Sequence, residues 1–288
     1  MVKLFITGIC GFIGRNIAIE ALKQGYIVSG IDYKTTKISG INIKKGDIRD
    51  KETILKLTKN QDYIIHLAAI TSNVEFDRNM PRSYDINVNG FNSVLSAAYI
   101  NGCKKFLYAS SSAVYSNKFS EEERIDISKM SNHYAKTKLI NEAIAKSYRS
   151  KGFLDTVGLR YFNVYGKGEN EKGNYASIIN LFIKYKKAQK PVKIYGNGKQ
   201  SRDLINVSDA ATITLKLLKK SRKDIYNVGT GIATSYNDIA KMIGPIKKEY
   251  VKNPLSSYQQ FTKANTSRLL SDIGKFKFIN IKEGILSY

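Results

Sequence analysis

Cysteine, histidine and acidic side chains are all scarce in this chain of 288 residues. Two cysteines, Cys10 and Cys103, exclude a disulfide scaffold and any four-cysteine zinc module. Two histidines, His66 and His133, exclude a His-rich metal centre, so no metal is expected. No apolar run approaches the roughly 20 residues that a membrane span requires. The opening stretch Met1-Val-Lys-Leu-Phe-Ile6 runs straight into a strand-like segment, without a charged-then-apolar leader or a small-residue cleavage site. A cytoplasmic protein with no membrane partner is the expectation.

The shortage of acid leaves 47 Lys+Arg against 24 Asp+Glu, a formal charge of +23. The excess is lysine, 37 against 10 arginines, and it is scattered, with modest clusters at 184–190 and 216–223. Both clusters fall on plausible helices, so they read as solvated faces. Nucleic-acid grooves favour arginine and interleaved aromatics, and no nucleic-acid partner is expected. A field of this sign favours anionic substrates. With 42% hydrophobic residues the chain can bury a core, and its length suits one large domain or two coupled ones.

The first half alternates short apolar runs with stretches of helical spacing. Strands are expected at Lys3–Thr7, Ile27–Ile31, Tyr63–Leu67, Lys105–Ala109 and Thr156–Arg160. Helices are expected at Ile13–Gln24, about Asp85–Asn101 and Tyr134–Arg149. This pattern predicts an α/β fold, a Rossmann-type doubly wound parallel sheet with helices on both faces. After Gly166 the alternation weakens and a smaller α/β substrate-binding lobe is expected. The expected division is 1–166, completed by about 203–231, for the nucleotide domain, with 167–202 and 232–288 for the lobe. An irregular surface segment is expected from Asn253 to Lys263.

Between the first strand and first helix lies Thr7-Gly8-Ile9-Cys10-Gly11-Phe12-Ile13-Gly14. Gly8 permits a tight turn, Gly11 lets backbone approach a pyrophosphate, and Gly14 allows helix and sheet to pack closely. The helix N-terminus then offers N–H groups and a positive dipole to phosphates. Asp32 ends the second strand, where a carboxylate accepts bonds from ribose hydroxyls and repels a 2′-phosphate. NAD is therefore expected rather than NADP.

Tyr134-Ala-Lys-Thr-Lys138 puts a phenol and an ammonium one turn apart on one helix. A tyrosine is a poor base at its usual pKa near 10. The lysine, with a nearby nicotinamide charge, is expected to favour the phenolate. Upstream, Ala109-Ser-Ser-Ser-Ala-Val-Tyr115 follows a strand, so its hydroxyls emerge at the carboxyl end of the sheet.

Taken in order, these motifs resemble the extended short-chain dehydrogenase/reductase family, specifically its nucleotide-sugar epimerases and dehydratases. The resemblance covers almost the whole chain. It implies Ser111, Tyr134 and Lys138 as catalytic residues. It implies cofactor contacts at Gly8, Gly11, Phe12, Ile13, Gly14 and Asp32, and adenine contacts at Asp47 and Ile48 of Gly46-Asp-Ile-Arg-Asp50. It further implies cofactor contacts at Leu67, Ala68, Ala69, Asn87 and Phe162. Substrate contacts are implied at Ser111, Ser112, Asn163, Arg202 and Thr262, with Arg202 on the diphosphate. A homodimer through the helices near Asp85–Asn101 and Tyr134–Arg149 is also implied.

The family's dehydratases carry Asp-Glu after the catalytic Thr, and its decarboxylases a Glu two residues after it. Here Ser112 and Ala113 stand instead, so the pattern resembles a 4-epimerase acting on a UDP-hexose or UDP-N-acetylhexosamine. Two other readings fit the same residues. One is a nucleotide-sugar ketoreductase using NADPH, with Lys34 near the ribose; the other is a noncatalytic nucleotide-binding regulator. The family's second diphosphate arginine is absent, with Lys252 as the stand-in, and its Ala-Asp-x-Ser-Lys pattern becomes Ala264-Asn-Thr-Ser-Arg268.

Overall fold

The computed structural model describes residues 1–115, 130, 132–169, 173, 176–253 and 259–288. The first sheet starts with β1 (Lys3–Thr7), crosses through α1 (Phe12–Lys23) to β2 (Ile27–Asp32) and continues to β3 (Asn42–Lys45). After α2 (Lys51–Leu57) the chain returns to β4 (Tyr63–His66) beside β1. Short helices α3 (Asn73–Arg78) and α4 (Met80–Tyr84) lead through a π-helical turn at Asp85–Asn89 into α5 (Gly90–Ile100). Then follow β5 (Lys105–Ser111), a tight turn at Ser112–Tyr115, α6 (His133–Ser150), β6 (Thr156–Tyr161) and β7 (Asn163–Tyr165).

The remainder comprises α7 (Ile178–Lys187), β8 (Val192–Tyr195), β9 (Ser201–Asn206), α8 (Val207–Lys220), β10 (Ile225–Val228) and β11 (Ala233–Ser235). It closes with α9 (Tyr236–Ile243), β12 (Lys248–Val251), α10 (Ser267–Ile273) and α11 (Ile281–Leu286).

Seven strands form one sheet in the order β10-β6-β5-β4-β1-β2-β3, and every pairing in it is parallel. Its central strands are buried on both faces, which is why Leu4-Phe5-Ile6 and Thr156–Tyr161 are buried without interruption. One apolar layer joins β1 and β6 residues to Ile17 and Ala21 of α1, Ile213 and Leu217 of α8, and Leu269 of α10. The opposite layer joins Phe5, Ile64 and Phe106 to Ile54 of α2 and Val94 and Leu95 of α5. Each of the valine, leucine, isoleucine and phenylalanine side chains among these, fully buried, contributes about 1.5–3 kcal/mol of transfer free energy. The strand order reverses between β1 and β4, which opens a crevice at the carboxyl ends where ligands of doubly wound sheets bind. Register puts Thr7 opposite Ile31 and His66, and Ser111 opposite Tyr161, along that one edge.

Residues of β10 and α8 thus complete the large sheet and its helical layer. A smaller sheet, β11-β9-β7, and the pair β12-β8 carry a separate apolar cluster of Tyr165, Phe182, Ile194, Leu204 and Ile239. The lysines of α7 and those closing α8 are largely exposed. Of the expected irregular segment, residues 254–258 lie outside those described. Its distal part is no loose surface strand, because Phe261 bridges to Ser201 and Thr262 is buried.

Candidate active site

The glycine turn is built by two backbone approaches. Gly8 has φ +70°, and a Cβ there would lie 2.7 Å from the Ala68 amide nitrogen. A Cβ on Gly14 would lie 2.2 Å from the Gly8 carbonyl oxygen, so α1 starts directly against the turn. At Gly11 the one atom an added Cβ would meet, among the described residues, is Gly8 O at 3.2 Å. The bare α-carbon of Gly11 therefore borders space the chain leaves open. Gly11 is also the N-cap of α1, which has no capping side chain and no acid in its first turn. By contrast, Asn132, Ser177 and Asn206 cap α6, α7 and α8.

Asp32 is buried at the end of β2, where Oδ2 accepts the Cys10 N–H at 2.9 Å and Oδ1 the Lys34 N–H at 3.2 Å. Among the described residues no cation pairs with it. A turn with glycine at positions 8, 11 and 14, a helix N-terminus carrying Phe12 and Ile13, and a carboxylate with no cation partner among the described residues fit the pyrophosphate and ribose of NAD.

Thr7 ties this turn to β4. Its hydroxyl oxygen accepts the Leu67 and Ala68 N–H groups at 3.3 Å each and lies 3.0 Å from His66 Nδ1. With two amides already donating to the oxygen, its proton is directed to Nδ1. His66 is stacked on Phe106 and edge-on to Phe91, and burial, with the Lys138 charge, pulls its pKa down to about 3. The imidazole is therefore neutral throughout the working range.

Asn132 starts α6 by accepting the Ala135 N–H, which places Tyr134 in the first turn and Lys138 in the second. Lys138 is 2% exposed, and its ammonium lies 5.5 Å from the Tyr134 ring centre. Ser111, last residue of β5, lies where its hydroxyl works to lower the Tyr134 pKa, and it accepts the Ala113 N–H at 3.1 Å. Tyr134, Lys138 and Ser111 are thus brought together.

Burial pushes Tyr134 up to about 12, and only the Ser111 hydroxyl works against it. Burial also lowers Lys138 to about 8, partly offset by Glu142. At about 8 the ammonium still carries its charge at neutral pH, with a smaller margin than an exposed lysine has.

The remaining candidates divide. Asn87, inside the π-helical turn, is buried; its amide bonds both the N–H (2.8 Å) and C=O (2.9 Å) of Ile70 and the Thr137 hydroxyl (3.2 Å). It clamps the segment after Ala69 to α6. Asp47 is held by Arg49, which also reaches Asp85, and that guanidinium keeps its carboxyl below the usual range. Ile48 is buried against Gly90. Ser112 is buried in the turn after β5. Phe162 is buried beside Tyr115, with ring centres 6.2 Å apart. The Asn163 amide faces Thr262 Oγ1 and the Asp203 carbonyl, each at 3.4 Å. Arg202 lies on β9 with its guanidinium 5.7 Å from the Tyr236 ring. Lys252 is exposed past β12.

Beneath Ser111 and Lys138 lies a polar chain that sequence reading did not single out. Ser110 Oγ donates to Glu142 at 2.5 Å, and Arg160 donates to both carboxylate oxygens at 2.9 and 2.7 Å. Arg160 also donates to the Tyr115 hydroxyl at 2.9 Å, and that hydroxyl donates to Asn227 at 2.6 Å. The available signal was Glu142 one turn beyond Lys138, and a lone charge, Arg160, inside the strand Thr156–Tyr161.

The fold and the site together define a dinucleotide-binding α/β protein with a Tyr–Lys pair at the start of the helix that follows β5. The chain belongs to the NAD dependent epimerase/dehydratase family, whose model matches residues 4–229. A heptose epimerase of Alkalilimnicola ehrlichii, ADP-L-glycero-D-manno-heptose-6-epimerase, is 30% identical, covering 99% of this chain and 96% of that protein. The UDP-N-acetyl-alpha-D-glucosaminuronate decarboxylase of Bacillus cytotoxicus is 32% identical over 84% of this chain and 79% of its own length. Among solved structures, the UDP-N-acetylglucosamine 4-epimerase of Methanobrevibacter ruminantium M1 superposes with a TM-score of 0.89. It is 28% identical, and the match covers 99% of this chain and 97% of that one. No helix among the described residues is long and apolar enough to cross a membrane.

Proposed function

We propose that this chain is a nucleotide-sugar 4-epimerase that inverts C4 of a UDP-hexose or UDP-N-acetylhexosamine through a 4-keto sugar. The observation that carries the reading is the grouping of Ser111, Tyr134 and Lys138 at the end of β5 and the start of α6, with no acid following Ser111. NAD, when bound, supplies an acceptor that takes a hydride from the sugar carbon and returns it. Tyr134 accepts the C4 hydroxyl proton on oxidation and gives it back on reduction. Ser111 orients that hydroxyl. Burial holds the phenol up even with Lys138 beside it, so the positive nicotinamide of NAD, when bound, would supply the further charge that favours the phenolate.

Arg202 anchors the diphosphate, binding energy remote from the reacting carbon, while the flat ketone turns over. The family's dehydratases and decarboxylases carry an acid after the catalytic hydroxyl residue, and Ser112-Ala113 provides none. Thr262 is small, which supports acceptance of a 2-N-acetyl group. Turnover of UDP-galactose with none of UDP-N-acetylgalactosamine would remove that part.

Similarity to a heptose 6-epimerase favours a second reading, the same oxidation and return at a side-chain carbon of an ADP-heptose. Incubation with UDP- and ADP-sugars without added cofactor, followed by NMR, separates them by the carbon inverted. Consumption of added NADPH instead would support the ketoreductase. We also propose a homodimer through α5 and α6. Tyr99 (45% exposed), Ile100 (66%) and Phe153 (49%) sit at the ends of these helices, with Tyr99 and Phe153 ring centres 5.3 Å apart. Sedimentation as a monomer at micromolar concentration would count against it.

A further inference from the structure

Tyr134, Lys138 and Glu142 form an i, i+4, i+8 stripe down one face of α6. The third member is not on the surface: the side chains of Glu142 and Arg160 are 13% and 6% exposed, and they pair through two hydrogen bonds. A buried ion pair is weak support for stability, since apolar residues of the same volume often serve as well or better. Its place directly behind the site calls for another account.

The pair touches both sides of the proposed chemistry. Through Ser110 it fixes the β5 end that carries Ser111; through Tyr115 it backs Phe162 and reaches Asn227 on β10. Among the described residues, the titratable groups that interact with Lys138 are Tyr134 and Glu142 on its own helix and His66 on β4, which is neutral. Tyr108 on β5 stays protonated through burial, and Arg160 on β6 acts through Glu142. Glu142 is thus the one anion that opposes the burial of this ammonium among the described residues.

We propose that Glu142 and Arg160 are positioning residues for Lys138: the carboxylate keeps the ammonium charged and seated beside Tyr134, and Arg160 limits how strongly it does so. This rests on the epimerase reading for its consequence but not for its direct test. The experiment follows the Lys138 titration by the pH dependence of its modification by an amine reagent, mapped by mass spectrometry. It compares wild type with Glu142→Gln, Arg160→Gln and the double variant, each checked by circular dichroism and melting.

Glu142→Gln removes the anion and leaves a buried guanidinium unbalanced, so the Lys138 midpoint falls by about one pH unit or more. Arg160→Gln leaves the carboxylate uncompensated, so the midpoint rises. The double variant returns toward wild type. The same opposed shifts are expected in the activity profile. Single variants that move the midpoint in the same direction, or folded variants that do not move it, overturn the proposal. Should Glu142→Gln not fold, a lower midpoint in the double variant than in Arg160→Gln carries the same test of sign. Opposed Lys138 shifts without any epimerisation would sink the epimerase reading and leave this one standing.

Discussion

Gly14 lies so close to Gly8 that a Cβ on the first would come within 2.2 Å of the carbonyl oxygen of the second. That approach sets where α1 begins and hence where its N-terminus points. Gly14→Ala must push helix and turn apart. The expected cost is about 1–3 kcal/mol in denaturant unfolding, as for other over-packed sites, together with loss of the NAD carried through purification. An unchanged midpoint with full cofactor content would show that the contact does not constrain the turn.

Tyr134→Phe keeps the ring and its packing near Phe76, whose centre lies 6.4 Å away, but removes the proton-transferring oxygen. Turnover is expected to fall about 10²–10⁴-fold, the usual contribution of a general acid–base group. Melting temperature and NAD content should stay near wild type. Near-normal turnover would assign the chemistry elsewhere, or favour the noncatalytic regulator.

His66 gives the fold an acid-sensitive element. Its pKa is lowered from 6.5 to about 3 by burial and by Lys138. Between these values the unfolded chain binds the proton and the native one does not. Stability therefore rises with pH across that window, by up to about 1.4 kcal/mol per pH unit for one proton, and is lost as pH falls from about 6.5 toward 3. Denaturant titrations of wild type and His66→Gln at pH 4.5 to 6.5 should give a shallower pH slope in the variant. Parallel slopes would mean that His66 is protonated in the folded state.

Arg202→Gln tests the anchoring of the diphosphate. Loss of charge-assisted hydrogen bonds worth about 1.5–3 kcal/mol should raise KM for the nucleotide sugar roughly 10–100-fold. NAD content should be unaffected, because Arg202 lies on β9, outside the glycine turn. A normal KM would place the diphosphate away from this strand.

The sequence made the large sheet's middle readable because its signals are local: apolar runs buried on both faces, glycines at a turn, a Tyr and Lys one helical turn apart. The edges were less so. β3 is four residues with two lysines and is largely exposed, so no apolar pattern marks it. β10 joins β6 across about 65 residues, and parallel pairing at that separation leaves no mark in either strand alone. The same holds for the site. Ser111, Tyr134 and Lys138 came from motifs, but the chain from Ser110 through Glu142 and Arg160 to Asn227 joins β5, α6, β6 and β10. Such a network exists only after folding. Solvation was also invisible to spacing: burial works against the phenolate that the Tyr134–Lys138 spacing suggests.

The decisive measurement uses UDP-galactose carrying deuterium at C4, incubated with the purified protein in ordinary water and followed by NMR. Oxidation and return at one carbon predicts inverted product with the label still on C4. Inverted product whose label has washed into solvent, or no inversion at that carbon, would contradict the chemistry assigned to Tyr134 and its neighbours.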